Sequence, residues 1–195
     1  VIRDELLGIC SKDIDYSFIF EDLNEDKSAH EYFIDMRNIL TEIGVKIYQE
    51  RPDCFTIRGN LNGEDVDYVM GRKETYSNPT SRIPEVKIAG LYEELQRRDF
   101  TLNAIAQDEE LNLIDPFNGQ EDLKNMILRC PIDAQTSFTD DPLRMIRALR
   151  FAVTKDFTFS KDVKQALLDG NTWDKFFEVV SHERIREELF KMYKF

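Results

Sequence analysis

Two aspartates lie two residues apart in a segment that otherwise has the composition of a strand. The segment reads SKDIDYSFIF over residues 11–20 and contains Asp13 and Asp15. Because successive side chains of a strand point to opposite faces, both carboxylates would lie side by side on one face. Their repulsion disfavours a strand unless something offsets it. A divalent cation would do so, and Mg²⁺ prefers carboxylate oxygens together with substrate phosphates.

A second acidic strand is predicted in GEDVDYVMG, residues 63–71, where Asp67 alternates with Val66 and Tyr68. Three carboxylates on neighbouring strands could bind two metal ions about 3.5–4 Å apart, an arrangement suited to phosphoryl or nucleotidyl transfer. Asp65 shares the face of Asp67, so periodicity leaves open which of the two reaches the metals. For the aspartate pair taken alone, a solvated strand edge is the ordinary alternative.

Basic residues precede an acid in QRRDFTLNAIA, residues 96–106, where Arg97 and Arg98 are followed by Asp99 and an apolar run contains Asn103. These charges could belong to a solvated helix end. Alternatively, the guanidinium groups bind ribose or phosphate while Asp99 fixes their orientation.

A stripe of arginines is predicted on the helix DDPLRMIRALRF, residues 140–151, where Arg144, Arg147 and Arg150 are spaced three apart. A solvated helix face is an equally good interpretation of such a stripe. With Asp141, however, Arg144 offers an acceptor and a donor fork one turn apart. That pair could recognise a nucleobase edge through protein groups alone.

The elements around these residues change in type along the chain. Strand and helix signals alternate at first, and a polar segment over 71–84 is predicted to be a mobile loop. Helical periodicity prevails after about residue 137, with helices over 140–155, after Ser160 and from near Ser181. For the first of these, Asp141 is the expected N-cap and Pro142 the first helical residue. We therefore predict an α/β head over residues 1–136 and an all-helical neck over 137–195.

Composition excludes several classes of protein. The 195 residues are 42% hydrophobic and 33% charged, which is typical of a globular chain. A net charge of −12 argues against a generic nucleic-acid-binding surface, so a polyanion would need a local basic patch or a metal-filled cleft. Three scattered cysteines favour a reducing cytoplasm, and no apolar run or leader pattern indicates a membrane protein. The histidines His30 and His182 lack metal-ligand spacing, and Trp173 is expected in the core.

Taken in order, these segments resemble the class II tRNA nucleotidyltransferase and bacterial poly(A) polymerase family. Five motifs carry the resemblance: VIRDELLGICSKDIDYSF, LQRRDFTLNAIA, LIDPFNGQEDLKN, DDPLRMIRALRFA and SHERIREEL. Two departures are a missing glycine pair before Val1 and Asp140 in place of glutamate at the start of the fourth motif. The family's body and tail domains have no counterpart in these residues.

The resemblance implies a polymerase-β-like nucleotidyltransferase head, a helical neck and catalysis with Mg²⁺. It implies that Asp13 and Asp15 bind the metals and that Asp67 helps to activate the 3′-hydroxyl of the primer. The nucleotide-binding candidates are Arg3, Asp4, Arg98, Asp99, Asn103, Asp141, Arg144 and Arg147, with Asp141 and Arg144 reading the base of CTP or ATP. The loop over 71–84, with Arg72 and Arg82, corresponds to the flexible loop that switches between C and A addition.

The expected activity is template-independent addition of C and A to the tRNA 3′ end, with release of pyrophosphate. Poly(A) polymerases and enzymes that add only CC or only A share these motifs and remain alternatives. A binding module that kept the fold but lost activity is an alternative from another class, although the retained clustered acids argue against it.

Overall fold

The computed structural model describes residues 2–9, 14–24, 26–75 and 85–194. These residues pack into two compact units. The first contains the described residues up to 75 together with 85–94, and the second contains residues 95–194. Each unit is described by itself.

A four-stranded sheet organises the first unit. Helix α1 (Ile2–Leu6) precedes it, and its strands are β1 (Ile14–Phe18), β2 (Lys46–Arg51), β3 (Thr56–Leu61) and β4 (Glu64–Met70). The strand order is β1-β4-β3-β2. Strand β1 runs parallel to β4, and the other neighbours are antiparallel.

Helix α2 (Ala29–Glu42) contributes the apolar side chains that complete the core of this unit. The helix begins with a capping box, in which Ser28 and Glu31 exchange side-chain and backbone hydrogen bonds. Its buried residues and the alternate residues of β3 and β4 form one hydrophobic cluster: Tyr32, Phe33, Met36, Leu40, Ile57, Val66, Tyr68 and Met70. One face of the sheet is therefore apolar, and the residues between the buried ones lie on the other face.

The predicted loop over 71–84 is partly wrong. Strand β5 (Arg72–Thr75) pairs antiparallel with β6 (Glu85–Ile88). The strand is anchored because the Arg72 guanidinium donates to the carbonyl of Cys54 and to Glu74. Residues 76–84, which include Arg82, lie outside the described residues.

The second unit is mostly helical. Helix α3 (Leu91–Gln96) spans the boundary between the units. The remaining elements are β7 (Ala106–Gln107), β8 (Leu113–Ile114), α4 (Gly119–Lys124), β9 (Ile127–Leu128), α5 (Ala134–Asp140), α6 (Leu143–Lys155), β10 (Thr158–Phe159), α7 (Lys161–Leu168), α8 (Gly170–Val179) and α9 (His182–Tyr193).

The core of this unit joins residues from both sides of position 136. Phe100, Leu102 and Leu128 belong to the same hydrophobic cluster as Phe138 and Phe151. Residues 95–136 thus pack with the helices, although their sequence pattern groups them with the α/β part.

The start of α6 differs from the prediction. Asp141 ends the preceding helix α5, and α6 begins at Leu143 with Pro142 as its N-cap. The Asp141 carboxylate still accepts a hydrogen bond from the Leu143 backbone N–H at 3.3 Å. Helix α5 was not predicted from the sequence. Its segment AQTSFTD contains only two apolar residues, Ala134 and Phe138, which is too few to show a helical period. Of the described helices, none is long and apolar enough to span a membrane.

Candidate active site

The acidic strands predicted from the sequence are neighbours in the sheet. Asp15 on β1 lies in register with Asp67 on the parallel strand β4. Because Val66 and Tyr68 are buried in the core, Asp67 lies on the opposite, open face of the sheet. Asp65 instead accepts a hydrogen bond from Asn60 at 2.9 Å. The register therefore selects Asp67 over Asp65 as the neighbour of Asp15. Asp13 lies outside the described residues.

Arg58 joins this pair from the third strand, a contact that sequence reasoning missed. It is the register partner of Asp67 on β3. Its Nε donates to Oδ2 of Asp67 at 3.1 Å, and its Nη2 lies 3.0 Å from the same oxygen. The alternation of TIRGNL could have placed Arg58 on the open face, but only strand pairing identifies its partner.

The donor atoms on this face are of the kind that Mg²⁺ binds. Asp15 is exposed and Asp67 half-buried, and their carboxylates lie on adjacent strands. One or two carboxylates completed by substrate phosphates are the usual protein contribution to a Mg²⁺ site, so the pair fits. Within the described residues no group of three or more His, Cys, Asp and Glu side chains forms a metal-binding cluster.

Asp99 is held by Arg147 in the second unit. Its Oδ2 accepts from Arg147 Nε and Nη2 at 2.9 and 2.6 Å, and its Oδ1 accepts from Asn103 Nδ2 at 2.8 Å. Burial alone would raise the pKa of Asp99, but the charge of Arg147 and these hydrogen bonds outweigh it and hold the pKa below its usual value. The sequence offered Asp99 as a group that orients Arg97 and Arg98, and the structure adds Arg147 of α6 as a partner of its Oδ2.

The predicted arginine stripe is not a solvated helix face. Glu188 of α9 is 3% exposed and accepts from Arg150 Nε at 2.6 Å and from Lys191 Nζ at 2.8 Å. Its Oε1 also lies 3.9 Å from Arg147 Nη1. Burial raises the pKa of Glu188, but the hydrogen bond from Lys191 and the two arginine charges lower it below its usual value overall. We call the group Asp99, Arg147, Arg150, Glu188 and Lys191 the charge network.

Arg144 is buried, and its side chain is already hydrogen-bonded within the protein. Nη1 donates to Ser137 Oγ at 2.7 Å, and Nη2 donates to the carbonyl of Arg97 at 2.6 Å. The sequence instead predicted an accessible donor fork next to Asp141. The difference arises because α5, which carries Ser137, was not expected to pack against α6.

The other candidates lie in local contacts. Arg3 and Asp4 form an ion pair with each other, with Nη2 and Oδ1 2.7 Å apart. Arg98 lies half-buried in the turn after α3. For all the candidates, binding of metal or nucleotide remains a prediction.

Comparisons with known proteins agree with the predicted family. Residues 1–129 match the family model of the poly(A) polymerase head domain. A CCA-adding enzyme of Lactobacillus helveticus is 44% identical over 138 residues, which cover 70% of this chain and 34% of that protein. The tRNA nucleotidyltransferase cca2 of Schizosaccharomyces pombe is 32% identical over 206 residues, covering 99% of this chain and 42% of that protein.

A solved structure gives the same result for the fold. The CCA-adding enzyme of Bacillus stearothermophilus in complex with CTP superposes with a TM-score of 0.76 at 29% identity, covering 98% of this chain and 42% of that one. The predicted fold class, a polymerase-β-like head followed by helices, is confirmed. The chain spans less than half the length of these relatives. Since the family model matches well over half of its residues, the chain belongs to the class II CCA-adding enzyme and poly(A) polymerase family.

Proposed function

We propose that the chain adds C and A to the 3′ end of tRNA from CTP and ATP, without a nucleic-acid template. The observation that carries this proposal is the in-register pair of Asp15 and Asp67 on the open face of the sheet. Family membership supports the reaction, and the relatives named for CCA addition and tRNA support its substrates. The proposed division of labour is a catalytic head, residues 1–136, and a base-recognising neck, residues 137–195. A reducing cytoplasm is the proposed compartment, because the three cysteines are scattered and form no disulfide pattern.

The chemistry proposed for the acidic pair is an in-line displacement. The 3′-oxygen of the RNA forms a bond to the α-phosphorus of the nucleotide, and the bond to the pyrophosphate oxygen breaks. Bound Mg²⁺ would supply charge neutralisation for the phosphates and lower the pKa of the attacking hydroxyl. Asp15, with Asp13, would hold the metal. Asp67 would orient the 3′-hydroxyl beside it and accept its proton as the new bond forms.

Base selection is proposed for Asp141 and Arg144. Arginine has five N–H donors, and two of those of Arg144 are used by Ser137 and the Arg97 carbonyl. The remaining donors belong to a guanidinium that is anchored on two sides. Such anchoring supports the proposal, because selection without a template requires donors at fixed positions.

The remaining candidates are assigned to the nucleotide and to switching. Arg3, Asp4, Arg98 and Asn103 would contact the triphosphate and ribose. Asp99 and Arg147, which form an ion pair with each other, would contact the ribose and phosphates as well. Arg72 and Arg82 would act in the change from C to A addition.

The test is incubation of the chain with tRNA that lacks its 3′ CCA, with CTP and ATP separately and together. Addition of two C residues with CTP alone and of a final A with both nucleotides is expected. Addition of only CC, only A, or a long A tract would identify the corresponding alternative enzyme. Asp15→Asn is the matched inactive control.

Absence of any product would contradict the proposal. If Mg²⁺-dependent binding of CTP and ATP were also absent, the inactive binding module would be the better description.

A further inference from the structure

Arg58 is the one strong contact of Asp67 on the described part of the sheet, and no predicted role includes it. The Nε of its guanidinium donates to one carboxylate oxygen, Oδ2, and the charged Nη2 lies 3.0 Å from the same oxygen. All described hydrogen bonds of Asp67 side-chain oxygens end on that atom. The second oxygen, Oδ1, is therefore left available on the open face.

This contact fixes the position of one oxygen of the Asp67 carboxylate. A guanidinium is planar, and with Nε and Nη2 3.1 and 3.0 Å from Oδ2 it holds that oxygen beside β3 through a hydrogen bond and an ion pair. Register supports the same geometry, because Arg58 and Asp67 are paired across β3 and β4 while Asp15 and Asp67 are paired across β1 and β4. Asp15 and Asp67 are like charges on adjacent strands and repel each other. The positive charge of Arg58 offsets this repulsion.

We propose that Arg58 is a positioning residue for Asp67: it holds this carboxylate by Oδ2 and leaves Oδ1 for the reacting 3′-hydroxyl. The inference deepens the proposed function and rests on it. A role in binding the nucleotide is disfavoured, because the Nε side of the guanidinium is already used by Asp67.

The variant that tests this role is Arg58→Met, which keeps the length of the side chain and removes its charge and donors. Because Arg58 is half exposed, the fold should survive the change, and thermal melting checks this. Misorientation of a reacting group by about 1 Å costs up to about a hundredfold in rate. We therefore expect kcat to fall by about tenfold or more, while KM for CTP stays within about twofold.

Arg58→Lys and Arg51→Met are the comparison variants. Lysine keeps a positive charge that can approach Oδ2 but lacks the planar pair of nitrogens, so its kcat should lie between wild type and Arg58→Met. Arg51 is another half-exposed arginine, and it lies on β2. Its Nη2 is 3.4 Å from a carboxylate oxygen of Asp53, which is not one of the acidic pair. Arg51→Met should have the kcat of the wild type.

Binding of Mn²⁺, measured by electron paramagnetic resonance without nucleotide, separates positioning from loss of metal. Removal of a positive charge beside Asp67 cannot weaken cation binding electrostatically, so Arg58→Met should bind Mn²⁺ at least as tightly as wild type. A fall in Mn²⁺ affinity in step with kcat would overturn the inference. So would an unchanged kcat, or a raised KM with kcat kept.

The wild-type chain distinguishes the two levels of the proposal. A wild type that transfers no nucleotide refutes the proposed function and this inference with it. An active wild type with an equally active Arg58→Met variant refutes the inference alone.

Discussion

Glu188 is expected to stabilise the second unit through a charge that has almost no access to water. Its side chain accepts from Arg150 at 2.6 Å and from Lys191 at 2.8 Å. Glu188→Gln keeps the shape of the side chain and removes the charge that these cations share. Glu187→Gln, a change at the exposed neighbour on the same helix, is the matched control.

The magnitude follows from the exposure of each partner. The Arg150 side chain is 17% exposed, and a hydrogen bond between charged groups in such a place contributes about 1.5–3 kcal/mol. Lys191 is 54% exposed, so its ion pair adds less than about 1 kcal/mol. Glutamine retains one carbonyl acceptor. We therefore expect Glu188→Gln to lower the free energy of unfolding by about 2–3 kcal/mol.

Urea unfolding followed by tryptophan fluorescence is the appropriate assay. Trp173 is the only tryptophan in the sequence, and it lies on α8, packed against Phe176. Its emission therefore reports on the unit that contains Glu188. Equal unfolding midpoints for Glu188→Gln and Glu187→Gln would refute the reasoning.

The same contribution should depend on pH in a defined direction. Because the pKa of Glu188 is lower in the folded chain than in the unfolded one, its stabilisation is present above the unfolded value, about 4.3, and is lost as pH falls through the folded value. The difference in unfolding free energy between wild type and Glu188→Gln should therefore shrink on going from pH 6 to below pH 4. A difference that stays constant over this range would show that the charge is not its cause.

Two further predictions concern close packing and thiol reactivity. A Cβ at Gly119 would lie 2.1 Å from the Thr101 carbonyl oxygen, whereas one at Gly170 would meet nothing within 4 Å. Gly119→Ala should therefore destabilise the chain by about 1–3 kcal/mol in thermal melting and Gly170→Ala should not; equal melting temperatures would contradict this. Burial raises the pKa of Cys130 to about 12, so at pH 8 iodoacetamide should label Cys130 far more slowly than the half-buried Cys54. Mass spectrometry of the labelled peptides provides the measurement, and equal labelling rates would show that Cys130 is accessible.

Local sequence signals predicted most elements of the first unit. The alternating strand and helix signals of the first part of the chain correspond to β1–β4 and α2, and the strands predicted in SKDIDYSFIF and GEDVDYVMG correspond to β1 and β4. These signals depend on short-range periodicity and capping, which a sequence displays directly. Helices α5 and α8 were not predicted. Helix α5 contains few apolar residues. Helix α8 begins at Gly170, and in the sequence this glycine indicates the end of the preceding helix.

The sequence by itself determined the family, the order of the motifs and the face of each strand on which an acid lies. Only the tertiary structure decided which groups meet. Strand register placed Asp67 rather than Asp65 beside Asp15, and it brought Arg58 onto the same carboxylate. The packing of helix α6 placed Arg147 within ion-pair distance of Asp99. The physical reason is that periodicity fixes the direction of a side chain, whereas its partner depends on which distant segments pack together.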